Sequence, residues 1–330
     1  MSNAFPSRLG MVNGTGADDV LFLKQFSGET LTAFEETNVM MSRHYVRTIS
    51  SGKSAQFPAV WKNTASYHTP GEFIRGKQIK HAERVITIDD LLISDVFIAR
   101  IDEAKNHYDV RSIYTKECGA ALAREADKNV LQTAVLAARA PNVIDEAPGG
   151  ARIGGADSAI DTDPDKLVQA LFQAAEILDT KDVPANGRFM VVKPAQYYLL
   201  VQSDKLISRD FSQGNGDFAS GKVLKAVDME VVKSNNVPQT NIAAPAGTSP
   251  SEGGDAYGPR PLAKYAGDFT GTVGVVMTPQ AVGTVKLLDL AVEGEYKIER
   301  QGTLIVAKYA MGHGILRPEC AVELTTAALV

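Results

Sequence analysis

From Asp102 to Ala140 the chain runs for 39 residues with no proline and a single glycine, Gly119, and alanine is abundant throughout. Leu122, Ala126, Val130 and Ala134 recur at steps of four, while Arg124, Asp127, Lys128 and Arg139 fall off that line. Such spacing places apolar groups on one helical face and charges on another. A continuous helix of this length would reach roughly 58 Å at 1.5 Å per residue, several times the globular average. Any fold for this chain must accommodate one long rod. Pro141 and the run Ala147-Pro148-Gly149-Gly150 terminate the rod and start a linker.

The remainder has to supply what the rod packs against. With 330 residues and 35.3 kDa, the chain exceeds the size at which one core usually divides. A hydrophobic fraction of 44%, a charged fraction of 22% and a mean hydropathy of -0.09 exclude collagen-like, coiled-coil and wholly disordered classes. No apolar run approaches the roughly 20 residues of a membrane span, so no membrane partner is expected. Met1 to Gly10 lacks an apolar signal core, and the 2 cysteines, Cys118 and Cys320, make no disulfide framework. These features predict a chain made in a reducing cytoplasm.

The first twenty residues have no period and read as a flexible arm. Val20 to Glu36 reads as a strand or turn followed by a short helix that cannot bury itself alone. Tyr45 to Phe57 alternates loosely, Ser51-Gly52 and Thr69-Pro70-Gly71 are turn signals, and Val85-Ile86-Thr87-Ile88 resumes as a strand. Residues 51 to 89 therefore predict a long two-stranded excursion, and two strands alone need a surface to lie on. Asp163 and Pro164 predict the cap and first turn of a helix through Leu178. Arg188 to Lys193 reads as a strand, Pro194 opens a helix, and Val223 to Val232 reads as a strand pair. Ser234 to Gly267 predicts an exposed loop, Val273 to Met277 and Gln301 to Ala310 predict strands, and Gly312-His313-Gly314 predicts a turn.

Charge is unevenly placed. Between Arg43 and Arg84 there are 8 Lys or Arg against 2 acids, a local +6, so a total of -5 leaves -11 for everything else. A basic segment on an acidic body fits nucleic acid, an acidic partner, or the surface of a neighbouring copy.

No constellation carries catalysis. Ser51-Gly52-Lys53-Ser54 ends like a phosphate loop, yet Arg47 stands where the first glycine is needed and Pro58 prevents the following helix. Asp161, Asp163 and Asp165 fit a helix cap better than a calcium loop, because Lys166 and Phe172 occupy the positions that require Gly and Glu. His44, His68, His81, His107 and His313 never fall at metal spacing. Ile98, Ile101, Tyr108 and Tyr114 are read as core contacts of the long helix rather than a stacking platform. No catalytic residue, cofactor or metal is assigned. What remains is an arm, a basic hairpin, a rod and a separate α/β unit, parts that a neighbouring copy would complete. The residues alone predict a homo-oligomeric structural protein.

Specific blocks carry more. Leu21-Phe22-Leu23-Lys24-Gln25-Phe26-Ser27-Gly28-Glu29, Ser42-Arg43-His44, Ile49 to Pro58, Ile79-Lys80-His81, Asn106 to Ser112, Ala281 to Lys286 and Ala307 to Gly314 with Leu316-Arg317-Pro318-Glu319 resemble the major capsid proteins of short-tailed (podovirus, autographivirus-like) phages of the T-odd coliphage type. With the gaps between them, the blocks span roughly two fifths of the chain, at both ends and in order. The resemblance implies an α+β, HK97-like phage capsid fold. Its parts would be an N-terminal arm (1–50), an E-loop hairpin (51–89), a P-domain with a long spine helix (90–160), an A-domain (161–282, with the exposed loop 234–267) and returning P-domain strands (283–330).

It further implies hexamers and pentamers of an icosahedral head around double-stranded DNA, assembled in the host cytoplasm through a procapsid that expands. A scaffolding protein and a portal protein are the expected partners, with a cement or decoration protein as a further option. Within that picture the hairpin is expected to lie over the acidic body of the adjacent subunit through Lys53, Arg75, Lys77, Lys80 and Arg84 with Phe57, Trp61 and Phe73, giving a non-covalent shell. Two other readings are a cellular, encapsulin-like compartment shell and a nucleic-acid-binding protein using the basic segment.

Overall fold

The computed structural model describes residues 39–74, 76–101, 111–203, 216–217, 222–223, 225–243 and 263–328. The arm ahead of residue 39, Arg75, Tyr108, His107 and most of the 234–267 segment lie outside the described residues.

The strands are β1 (Tyr45–Thr48), β2 (Ser54–Val60), β3 (His81–Thr87), β4 (Leu92–Ala99), β5 (Ala151–Gly154), β6 (Phe189–Val192), β7 (Gly216–Asp217), β8 (Lys222–Val223), β9 (Lys225–Ala226), β10 (Met229–Lys233), β11 (Asn241–Ile242), β12 (Gly267–Asp268), β13 (Thr272–Met277), β14 (Val282–Lys297), β15 (Gly302–Ile315) and β16 (Ala321–Thr325). The helices described are α1 (Arg111–Arg139), α2 (Pro164–Thr180) and α3 (Pro194–Val201).

Two sheets frame the molecule. The first has the order β1-β14-β15-β4, with β1 parallel to β14 and the other pairs antiparallel. The second has the order β5-β16-β13-β6-β10-β9 and mixes both directions. Sheet membership does not follow the chain: β5 precedes residue 160 and β16 follows residue 283, yet both lie in the sheet that holds β6 and β10.

Helix α1 joins the two. Near its start, Cys118, Leu122 and Ala126 pack with Ala307, Tyr309 and Met311 of β15. Two turns on, Val130, Leu131, Ala134, Val135 and Ala138 enter the larger core with α2, α3 and the six-stranded sheet. One helical face thus serves two cores, which is why its small residues must run so far. Asp127 on the same helix accepts hydrogen bonds from the Val39 and Met40 amides at 2.8 and 3.1 Å, fixing where the chain enters the fold.

The capped helix expected after Thr162 is present. Asp163 caps α2 by accepting from the Asp165 amide at 2.9 Å, with Pro164 in the first turn. Strand β6 is buried at every residue, as a central strand covered by α2 and α3 on one side should be.

Three readings are corrected. Ile98 belongs to β4 and not to the long helix: β4 pairs along its whole length with β15, from Tyr309↔Leu92 to Gly302↔Ala99. Ile98 packs with Ile305 and Tyr114, so its core assignment holds, but Ile101 is 63% exposed. The helical period thus extended too far back, over apolar residues that a strand buries equally well. Gly312-His313-Gly314 is the interior of β15 rather than a turn. A Cβ on Gly312 would stand 2.1 Å from the Thr87 carbonyl oxygen, and one on Gly314 would meet Ile86, so these glycines admit a close approach of the hairpin. The residue pattern alone offers no strand where β14 lies, within the region the resemblance gives to returning strands, because register shifts between Lys286 and Ala291 break its alternation.

Candidate functional site

Strands β2 and β3 pair in register from Ser54↔Thr87 to Val60↔His81 and form the predicted excursion. Their base has the support that two strands require. Ala55 and Ile86 are buried against Val285 of β14, with Ile49, Phe57, Ile88 and Leu316 around them. Beyond Val60 the ladder fades after one more bond, from the Trp61 amide to the Lys80 carbonyl at 3.1 Å. The far end turns at Thr69-Pro70-Gly71-Glu72, closed by the Glu72 amide on the Thr69 carbonyl at 3.2 Å. Gly71 has φ +97, as the third position of a type II turn demands.

The tip is where the fold leaves apolar surface uncovered. Tyr67, Phe73 and Ile74 are 107%, 92% and 84% exposed, the three highest values among the large apolar residues described, with Ile298 next at 73%. Isolated exposed apolar residues need no account, but three at the end of one projecting hairpin form a surface without a partner among the described residues.

The predicted contact residues separate into two groups. Phe73 is at the exposed tip, and Lys53 and Lys77 are exposed. Lys77 donates to the Thr64 carbonyl and hydroxyl at 3.3 Å, crossing the arm. Arg75 lies outside the described residues. Phe57, Trp61 and Lys80 are engaged within the chain. Phe57 meets the Tyr45 ring edge-on at 5.9 Å and lies under the Arg47 guanidinium at 5.7 Å. Trp61 is half-buried, with the Lys62 ammonium 5.5 Å from its ring centre. Lys80 pairs with Glu146 at 2.8 Å and Lys62 with Asp182, so part of the basic excess meets acids of the same chain. Both pairs are exposed, so solvent screening leaves each a minor contribution to stability. The hydrogen bond to Glu146 also raises the Lys80 pKa. Arg84 is half-buried, and its Nε is buried with no hydrogen-bond partner.

Behind the hairpin base lies a polar network that the sequence reading did not assemble. The His44 Nδ1 is 2.6 Å from the Met40 carbonyl, and its Nε2 is 2.5 Å from the Thr284 hydroxyl. That hydroxyl is 2.7 Å from His313 Nδ1. Only one proton arrangement satisfies these contacts with neutral rings: His44 Nδ1–H donates to Met40, Thr284 donates to His44, and His313 Nδ1–H donates to Thr284. Tyr265 donates to Asp89 at 2.6 Å and accepts from the His313 amide at 3.1 Å, and Lys264 pairs with Asp89. Residues 240 apart in sequence meet on one hydroxyl, and no local spacing could have revealed this.

Burial sets the electrostatics. It lowers the His313 pKa to about 3, with His44 and Lys264 acting in the same direction, and it lowers His44. It raises Asp89 against the opposing pull of Lys264 and Tyr265, and it raises Tyr265. A histidine held neutral in the fold but free to protonate when unfolded makes stability fall as pH drops from 6.5 toward 3, with no contribution above that window. Asp89 works in the opposite sense. Unfolding of the subunit followed by circular dichroism is therefore expected to show a loss from His313 of about 2 kcal/mol at pH 5. The slope should flatten in His313→Asn, and an identical slope in that variant would remove His313 as its source.

The surrounding chain has known counterparts. The family described as Gp10A-like: Major capsid protein matches residues 56–325. The major capsid protein of Escherichia phage T7 is 39% identical over 319 residues, covering 91% of this chain and 90% of that protein. The capsid structure of the cyanophage P-SCSP1u superposes with a TM-score of 0.79 at 44% identity, covering 99% of this chain and 100% of that one. The mature capsid of bacteriophage PhiM1, at 22% identity, agrees in fold with a TM-score of 0.72 over 98% of this chain and 97% of its own.

Proposed function

The chain belongs to the Gp10A-like major capsid protein family, with the HK97-like fold of a phage head subunit, and from that premise we propose how it builds the head. Copies join as hexamers and pentamers, each extending its β2–β3 hairpin onto a neighbour, and together they close an icosahedral shell around double-stranded DNA. The observation that carries this reading is the tip, where Tyr67, Phe73 and Ile74 have nothing among the described residues to cover them. A single pair of exposed ions contributes too little to hold a shell, so apolar anchoring repeated over many copies supplies the strength. The role is structural and not catalytic, and the contacts are non-covalent.

Scaffolding and portal proteins fit as partners of assembly in the host cytoplasm, and a cement or decoration protein could bind the finished surface. Expansion from procapsid to head would be a hinge motion between two packings of one subunit. The hairpin base suits such a hinge: it is held by Lys264 and Tyr265 on Asp89 and by the glycine notch of β15, while the rest of the arm projects.

Electron microscopy of the purified protein, alone and together with infected-cell lysate, tests the proposal. Closed shells are expected from the protein, and DNA-filled particles from the lysate. Dispersed subunits in both samples would overturn it. Shells that enclose protein and never DNA would instead favour a cellular compartment.

A further inference from the structure

A cleft of about 450 Å³ lies between the hairpin base and the body of the subunit. Its apolar wall is formed by Phe57, Trp61, Ile144 and Leu316, and its charged groups are Arg47, Arg84, Arg317 and Glu319. Arg317 pairs with Glu319 at 2.7 Å, and Arg47 donates to the Gln56 carbonyl at 3.1 Å. Arg84 has neither: its guanidinium Nε is buried against the cleft with no hydrogen-bond partner. A half-buried cation in an apolar cleft is costly unless a carboxylate meets it. The cleft is thus complementary to a short segment combining acid with large apolar side chains.

Asp18-Asp19-Val20-Leu21-Phe22-Leu23, outside the described residues, is such a segment, and its adjacent acids and unbroken apolar run set it apart from Glu29 to Glu36, where Leu31 and Phe34 are the only large apolar residues. Two carboxylates precede four apolar side chains with no intervening basic residue. The described chain begins at Val39, six residues before Tyr45, which itself lines the cleft. The departure point is therefore within roughly 20 Å of the lining, and the sixteen residues from Leu23 to Val39 can span roughly 55 Å. We propose that this cleft is the docking site for residues 18–23, with the acidic pair on Arg84 and the Val-Leu-Phe-Leu run on Phe57, Trp61 and Leu316. The inference is separable from shell formation, because it is read on whatever species the full chain forms.

The test places a photoreactive benzoyl-phenylalanine at Trp61 in the full-length protein and maps the cross-links by mass spectrometry after irradiation. Cross-links are expected to concentrate in residues 18–23. Arg84→Glu should lower their yield about tenfold, and Asp18→Lys with Asp19→Lys should restore it in the Arg84→Glu background. The same probe at Val60, 65% exposed, serves if the Trp61 variant does not fold. Cross-links to any other segment or protein, their absence, or a yield indifferent to charge reversal would overturn the proposal. Cross-linking at 18–23 in a protein that forms no shells would count against the function proposed above and leave the docking intact.

Discussion

Deleting Thr64 to Lys77 is expected to leave a soluble, folded subunit that makes no shells. The deletion removes Tyr67, Phe73 and Ile74, none of which contributes to any core described. It spares the β2–β3 ladder, the cluster of Ala55, Ile86 and Val285 beneath it, and the two ion pairs of Lys62 and Lys80. The thermal transition should therefore shift by no more than about 2 °C, while particles visible by electron microscopy or sedimentation disappear. Shells of normal yield from this variant would refute the assignment of the tip as the inter-subunit anchor. A subunit that unfolds instead would show that the tip belongs to the monomer's own stability.

Glu323→Ala is expected to cause the largest loss of subunit stability. Glu323 is fully buried, and both its carboxylate oxygens are engaged. Arg139 approaches in a fork, Nε on Oε2 at 2.7 Å and Nη2 on Oε1 at 2.5 Å; Arg152 adds a bond to Oε2 at 3.1 Å and Thr272 one to Oε1 at 2.8 Å. The hydrogen bond to Glu323 also raises the Arg139 pKa, in keeping with a carboxylate that holds this charge. Removing the carboxylate leaves two partly exposed guanidinium groups facing each other over a buried gap, a change worth up to about 3–5 kcal/mol. Since Arg139 is the last residue of α1, the loss would also remove the polar tie between the end of the rod and β16, leaving its apolar packing in the larger core. Calorimetry should record a fall in melting temperature on the order of 5–10 °C, with Glu323→Gln intermediate. A fall below about 2 °C for Glu323→Ala would show that solvent already screens both arginines.

The long helix, the capped helix at Pro164 and the hairpin were legible because their signals are local: steps of four from Leu122 to Ala134, Asp163 before Pro164, and turn residues at Thr69-Pro70-Gly71. Local signals also misled. Gly312 and Gly314 resemble turn residues, but their lack of side chains serves the nearby backbone of Thr87 and the side chain of Ile86. The apolar run ending at Ile98 fits a helix as readily as a strand until β15 is seen beside it. The basic count from Arg43 to Arg84 was correct in number but silent about partners: Lys80 meets Glu146, Lys62 meets Asp182, and Arg84 is left without one. Tyr67 and Ile74 went unnamed as contacts, although both stand in the same excursion as Phe73, because exposure depends on the body they project from.

Strand β16 sits between β5 and β13, buried at all five positions, although about 170 residues of chain separate it from β5. At 5–20 residues per second, a ribosome takes roughly ten to thirty seconds to cover that distance. During that interval β5 has no neighbour in its sheet and one edge of β13 stands open. A chain that stops short of Ala321 never closes this gap, and its central sheet splits at β5 where a finished one is continuous. Synthesis through β16 is thus a structural condition for a subunit fit to build with, because only then is the six-stranded sheet continuous.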